Sequence, residues 1–469
     1  MISIKPYLVS PALPAATLLF GTVFFLAFFQ FAGLRWHPAV TVSLYSGLLA
    51  WVTLIAWNRS KIKGAISVMD VLFGVFILLV VVSLFIQDTP AGWKYGRYLP
   101  FLALVPYVCG RLMCVASMAL LFKIVASAGT FMLLLLLLDY YERLSSLEVY
   151  SRWPFFGHDF ALVLIAILIA ASLIVLTAFF LAGKGKRFTQ LTLSQIVMLV
   201  IIGLMSAALV TVAARGAILA GMAGIFILLI KASKWSLFSK INLILYFVLV
   251  MIGAYLLLPK PQIQGYTNLA TMPEVLISAE EYSAQQRDPT NPNWIPRNRT
   301  WDPAVHAWVP VKRTSKPILG PDSCRAVDRG INSLAIRWTL YQEAWAIFWK
   351  KPLWGVGAAS FGRYSCAGET GFPHSTTLQA FSELGMVGGI LYCSLLLTAF
   401  LVFVQKAFMG VTKTSAIAQL SLSLFLMYLL TDQLYGNYFL AVGSYFFVGV
   451  AAGMQINPAW NEADPIEGA

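Results

Sequence analysis

Long apolar runs, separated by short basic clusters, leave this chain few ways to fold. They recur near 13–34, 38–57, 66–87, 97–112, 115–138, 159–182, 191–213, 216–232, 241–258, 385–405, 415–432 and 437–455. Each crosses, or nearly crosses, a hydrocarbon layer about 30 Å thick if helical. Of 469 residues, 59% are hydrophobic and only 11% charged, with a mean hydropathy of +0.77. A soluble core could not hide that much apolar surface. The predicted fold class is therefore an all-α polytopic membrane protein with about twelve transmembrane helices. Leu191 to Ile230 would span roughly 60 Å as one helix, so it must fold back, at Ala214-Arg215-Gly216. The first run is span-length and lacks a small-residue cleavage site, which argues against a cleaved signal peptide.

The net charge of +13 is dispersed between the apolar runs, which marks topology rather than nucleic-acid binding. Arg59, Lys61 and Lys63 share one side with Lys184, Lys186, Arg187, Lys231, Lys234, Lys240, Lys406 and Lys413. By the positive-inside rule that side is cytoplasmic, with both termini. Arg215, the segment 259–384 and Asp432 fall on the opposite face. The predicted organisation is nine spans over 1–258, an outer loop subdomain over 259–384, three spans over 385–456 and a cytoplasmic tail over 457–469.

Within the loop, Arg287 to Arg297 is too rich in Pro, Asn and Arg for regular structure. Trp294, Trp301 and Trp308 suit sugar stacking, or packing on the subdomain or lipid interface, which is the commoner use. Ser333 to Lys351 predicts an amphipathic helix ended by Pro352. Leu334, Trp338, Tyr341, Trp345 and Phe348 form its packing stripe, and Glu343 and Lys350 its far face. Arg337 sits at the edge of that stripe, where a guanidinium needs an anionic partner from the protein or a ligand. The glycines of Trp354-Gly355-Val356-Gly357 predict a tight backbone and are only weak evidence of phosphate binding.

The run Gly371-Phe372-Pro373-His374-Ser375-Thr376-Thr377-Leu378-Gln379 closes the polar segment. Thr376 and Gln379 have capping-box spacing, so a helix should start there. His374 would stand at its mouth, where the dipole collects anions and disfavours imidazolium. That makes it a neutral base beside an anion seat; a plain helix cap at the membrane surface is the equal alternative. Arg215, alone among charged residues between Arg187 and Lys231, is functional by default or a snorkelling side chain. Lys123 reads as snorkelling. Asp432 is a candidate to orient His374 or counter an arginine, with structural pairing at least as plausible. Glu383 is a further supporting candidate, and Lys94, Arg97 and Arg325 are lesser candidates for an anion pocket. Walker, H-E-x-x-H, nucleophile-elbow and metal-spacing motifs are absent, and four scattered histidines suggest no metal centre, so no cofactor or metal is implied. Cys324 and Cys366 are the two cysteines of the outer loop and are expected to form a disulfide there.

These residues resemble the O-antigen ligase and O-antigen polymerase superfamily. The likeness lies in the span arrangement with a late outer loop, in Arg215-Gly216, in Arg337-Trp338 through Gly357, and in His374 to Gly389. The family usually has asparagine after the histidine, where Ser375 stands here. The resemblance implies a metal-independent glycosyltransferase of the bacterial inner membrane, its site facing the periplasm. The donor would be an undecaprenyl-diphosphate-linked glycan and the acceptor a sugar hydroxyl of lipid A–core oligosaccharide. Arg215 and Arg337 would seat the diphosphate and His374 would act as general base. Polymerase and protein O-oligosaccharyltransferase relatives share these motifs, and ligase is favoured on architecture. A transporter or lipid flippase would want mid-membrane charges and inverted repeats, and the sequence has neither.

Reporter fusions test the topology. Those at Lys61, Lys186, Lys234 and Lys413 are expected in the cytoplasm and those within 262–330 in the periplasm. A cytoplasmic signal from residue 300 would remove the compartment this chemistry requires.

Overall fold

A peptide group in hydrocarbon has no water to bond, so the apolar runs close their own hydrogen bonds as helices. In the computed structural model the described residues are 10–21, 47–55, 66–87, 96, 99–145, 159–183, 191–212, 214–232, 235–258, 263, 276–277, 299–302, 307–310, 326–327, 333–365, 372–409, 412–456 and 460. Helix α1 (Ala12–Ala16) runs into a π turn, and α2 covers residues 47–55. Then come α3 (Val68–Gln87), a π turn leading into α4 (Val105–Arg111), α5 (Val115–Ser145) and α6 (Asp159–Ala182). Next are α7 (Leu193–Thr211), α8 (Arg215–Lys231) and α9 (Leu237–Leu256). The loop region contributes α10 (Ser333–Lys350) and α11 (Phe361–Tyr364). The chain ends in α12 (Thr376–Met409), α13 (Thr412–Tyr435) and α14 (Val442–Ile456).

Seven described helices are long and apolar enough to cross a membrane, with α8 and α14 shorter apolar helices beside them. The polytopic all-α class holds. The expected runs at 13–34 and 38–57 lie largely outside the described residues. The fold-back expected at residues 214–216 is the α7–α8 break. Position in the bundle follows burial: 72% of the α6 span is buried and only 17% of the α9 span, so α6 is central and α9 faces lipid.

Polar side chains fasten the helix ends. Thr192 and Gln195 cap α7 reciprocally. Ser67 caps α3, and Asp70 in its first turn accepts from the Ser67 N–H, from Tyr107 at 2.7 Å and from both ends of the Arg111 fork. Pairing an arginine with a carboxylate that the Ser67 N–H, the Ser67 hydroxyl and the Tyr107 phenol also satisfy is how a charge survives at a helix end among apolar neighbours. Nearby, the Trp460 indole donates to Met113 O while its carbonyl accepts from Thr414, joining the α4–α5 turn to the start of α13.

The loop segment adds two short antiparallel ribbons that the sequence reading did not foresee. Leu276–Ile277 (β1) pairs with Ala326–Val327 (β4), and Arg299–Asp302 (β2) with Ala307–Pro310 (β3), so Trp301 and Trp308 are opposite each other. Residues 287–297, with Trp294, lie outside the described residues, as do Cys324, Cys366 and the expected disulfide.

Helix α10 starts and stops where expected, but it buries a different face. Leu340, Glu343, Ala344, Ile347 and Phe348 are buried, while Trp338 and Trp345 are exposed. Glu343 therefore belongs to the packed face, contrary to expectation, and only Phe348 of the three large aromatics at 338, 345 and 348 is covered. Phe348 meets Phe381 of α12 edge-on at 5.6 Å. The error is physical: aromatic stripes mark a core in water, whereas beside a bilayer they also face outward.

Helix α12 contains a break at Gly385 (φ 68°, ψ −164°), which separates a short segment, 376–384, from the span proper. The turn after α10 locks into that break. Val356 N–H donates to Ser382 O, Gly357 N–H to Glu383 O and Met386 N–H to Pro352 O. Gly355 and Gly385 both have left-handed φ and lie back to back. A Cβ on Gly385 would come within 2.2 Å of Leu353 O, and one on Gly355 within 2.3 Å of Glu383 backbone atoms. The tight backbone expected of Trp354–Gly357 is thus present, and its glycines serve this interlock. Gly385→Ala combines a forbidden approach with unfavourable φ, and is expected to cost at least about 1–3 kcal/mol. A lowered aggregation midpoint in detergent would register it; an unchanged midpoint would mean that the interlock carries little stability.

Candidate functional site

The site is built around the last turn of α13. Gln433 reaches the start of α12 in both directions: its side-chain carbonyl accepts from Ser375 Oγ at 2.8 Å and from the Thr377 N–H, and its amide donates to Thr376 Oγ1 at 2.7 Å. Its backbone carbonyl accepts from the Tyr341 hydroxyl of α10 at 3.0 Å. Burial pushes the Tyr341 phenol up, opposed by the nearby Arg337 charge. Its proton therefore stays on the oxygen to make that bond. One residue of α13 thus pins both the α12 start and α10.

His374 precedes this start. Its backbone is left-handed (φ 56°), and its ring lies 4.5 Å from that of Phe372. The cap of α12 is Ser375, whose Oγ accepts from the Leu378 N–H at 3.3 Å while its carbonyl opens the helix at Gln379. The capping box expected at Thr376 and Gln379 does not form. Thr376 is the first helical residue, and Gln379 points inward, donating to Glu383 and accepting from the Tyr438 N–H. The correct helix start was legible; the cap was one residue earlier, because a buried network claims the glutamine.

Arg215 opens α8. Ala214 before it offers no side-chain cap, and the Gly216 N–H donates instead to the Tyr435 hydroxyl at 3.0 Å. Gly216 has no room for a Cβ, which would fall 2.3 Å from the Tyr435 ring. That is the reason for glycine after the arginine. The other side of the link is Arg337, whose guanidinium carbon stands 4.7 Å from the centre of the same ring. Tyr435 therefore connects the two arginine-bearing elements. An anionic partner from the protein or a ligand was expected for Arg337; the contact seen is this π face, worth about 0.5–2 kcal/mol.

Glu383 is fully buried, and its oxygens accept from Ala359 N–H, Phe361 N–H, Tyr438 OH and the Gln379 amide. It holds the loop between α10 and α11, so its support is structural. Asp432 is also buried and accepts from Ser444 of α14. Lys94, Arg97 and Arg325 lie outside the described residues. Among the described residues, no group of three or more His, Cys, Asp and Glu side chains gathers to hold a metal. Gln433 and Tyr435 were missed by sequence reasoning, and no local signal announces either.

Asparagine and serine are comparable helix caps, so Ser375→Asn is expected to keep the start of α12 and its activity. Ser375→Ala removes both the cap and the bond to Gln433 and is expected to cost about 1–2 kcal/mol. Thermal stability of the two variants in detergent decides this; equal midpoints would show that Ser375 caps nothing of consequence.

The chain matches no curated protein. A family model described as O-antigen ligase matches residues 200–393, a stretch that includes Arg215, Arg337, His374 and the Gly355–Gly385 interlock and stops short of Gln433 and Tyr435. Over this stretch the chain is similar to the O-antigen ligase family.

Proposed function

We propose that this protein transfers a glycan from undecaprenyl diphosphate to a sugar hydroxyl of lipid A–core oligosaccharide, at the periplasmic face of the inner membrane. The family match supports ligase-type glycosyl transfer in general terms. The observation that carries the finer reading is the end of α13. Gln433 holds the segment after His374, and Tyr435 holds the segments of Arg215 and Arg337. Three groups suited to one displacement are thus tied to a single turn.

In this reaction His374 takes the proton of the acceptor hydroxyl as its oxygen attacks the anomeric carbon. The bond from that carbon to the diphosphate oxygen breaks, and the diphosphate leaves with the electron pair. A single displacement inverts the anomeric centre. Arg215 and Arg337 compensate the charge growing on the leaving group, the role in which fixed donors contribute most. Their planar forks suit diphosphate oxygens. Arg215 is the first residue of α8, so its charge adds to the positive end of the helix dipole.

The left-handed backbone of His374 fits the same account. A non-glycine residue there carries strain, which tertiary contacts must hold. The Ser375 cap and the Gln433 bonds supply that restraint on the residues that follow.

Purified protein, lipid-linked glycan and core acceptor, without nucleotide, form the decisive assay. His374→Ala is expected to bind donor normally while transfer falls about 10²–10⁴-fold. Wild-type transfer is expected to rise with pH across the imidazole titration range, because only the neutral ring accepts a proton. A rate and donor affinity that both fall as pH rises would make His374 a cationic phosphate ligand instead. Arg215→Lys and Arg337→Lys are expected to fail, since a point charge cannot reproduce the fork. Full activity in both would reduce the arginines to diffuse charge.

A further inference from the structure

Among the described residues, the outward face of α10 is left uncovered by protein. Trp338 is 62% exposed, and Trp345 and Trp349 are exposed with it. After the helix, Leu353 and Trp354 continue the face, Trp354 at 68% exposure. The rings are ordered against one another. Trp345 stacks on Phe348 at 5.3 Å and meets Trp349 edge-on at 5.6 Å, and Phe348 is seated on Phe381 of α12. So much large aromatic surface in contact with water would be unusual for a loop helix.

Two observations identify what covers it. The face is continuous with the lipid-facing flank of a membrane span. Pro352 O accepts from the Met386 N–H, which sets Leu353 and Trp354 beside the first turn after the Gly385 break. There Met386, Val387 and Ile390 begin an exposed apolar row that Leu397 and Leu401 extend along the same helix. The second observation is charge: Lys350 and Lys351, both exposed, lie between Trp349 and Leu353. Tryptophan with lysine at the end of an apolar row is the composition of a bilayer interface, where indole sits at headgroup level and ammonium meets phosphate.

We propose that α10 and the Leu353–Trp354 turn form an interfacial anchor that docks on the phospholipid headgroup and upper acyl region of the membrane. The anchor fixes the depth of the helix that carries Arg337. Arg337 lies about 100° round the helix from this face, over Tyr435. Its guanidinium is thereby held near the level of lipid phosphates, which is the level of a diphosphate joined to a polyprenyl chain. A soluble loop helix could drift relative to that plane; one seated by four tryptophans cannot.

The test uses the full chain in phospholipid nanodiscs and needs no substrate, so it stands or falls separately from the chemistry assigned to His374. Emission is compared between the native protein and a W338F/W345F/W349F/W354F variant; the difference spectrum belongs to those four indoles. With acyl chains brominated at the 6,7 positions, the difference emission is expected to fall about twofold or more relative to unbrominated lipid, because interfacial indoles lie within contact of that depth. Aqueous iodide is expected to leave it nearly unchanged. Difference emission quenched by iodide and indifferent to bromolipid would overturn the proposal by placing the face in water. Difference emission quenched by neither agent would also overturn it, since the face would then be covered by protein, such as a second copy. Should the fourfold variant fail to fold, Trp338→Phe and Trp354→Phe separately give the same readout at the two ends of the face.

Discussion

A single buried carboxylate organises the region on which the site depends. Glu383 has no exposure to solvent worth the name, and an ionisable group so placed is costly unless its oxygens are fully used. Four donors use them: the Ala359 N–H of the α10–α11 loop, the Phe361 N–H that opens α11, the Tyr438 phenol and the Gln379 amide. The backbone on both sides of Glu383 is committed as well, with Ser382 and Glu383 carbonyls receiving Val356 and Gly357. The loop segment is thus stitched to the membrane bundle by main chain and side chain together. That stitching decides where α10, and hence Arg337, arrives.

From this anchor the geometry of the site follows in two steps. The break at Gly385 sends 376–384 away from the span, so that the capped start of α12 meets the end of α13. The end of α13 then meets α8 and α10 through Tyr435. Each hydrogen bond or ring contact in these links is modest alone, at about 0.5–1.5 kcal/mol. Together they remove the independent motions of three chain segments that lie far apart in sequence. Preorganisation of that kind is what a displacement at a diphosphate requires, because its protein contribution is positioning and charge.

Much of this was legible from the residues and some was not, for identifiable reasons. The spans were readable because lipid imposes one solution on long apolar runs: α6 covers the expected 159–182, and the α7–α8 break falls at Arg215. The start of α12 was readable from Pro373 and the residues after His374. The cap at Ser375 was misassigned because capping-box spacing is a local rule, and Gln379 answers to Glu383 and Tyr438, the latter 59 residues away. The aromatic face of α10 was misread because periodicity reports that a face is apolar without saying whether protein or lipid covers it. Tyr435 was invisible. Its partner Gly216 is 219 residues distant, and a tyrosine at the end of a span is ordinary.

The Arg215-Gly216 pair shows how such a hidden contact leaves a trace. Glycine at the second position of a helix is a poor choice for stability, by about 1 kcal/mol against alanine. It is required here because the Tyr435 ring occupies the space of a Cβ. With Ala214 unable to cap, the phenol oxygen serves as the acceptor for the helix start. The ring edge that excludes a side chain at 216 belongs to the same ring whose face carries Arg337. A substitution that enlarges residue 216 would therefore be felt at Arg337 without touching it. The glycine after the arginine is the sequence-level mark of the close approach of Tyr435, the ring whose face carries Arg337.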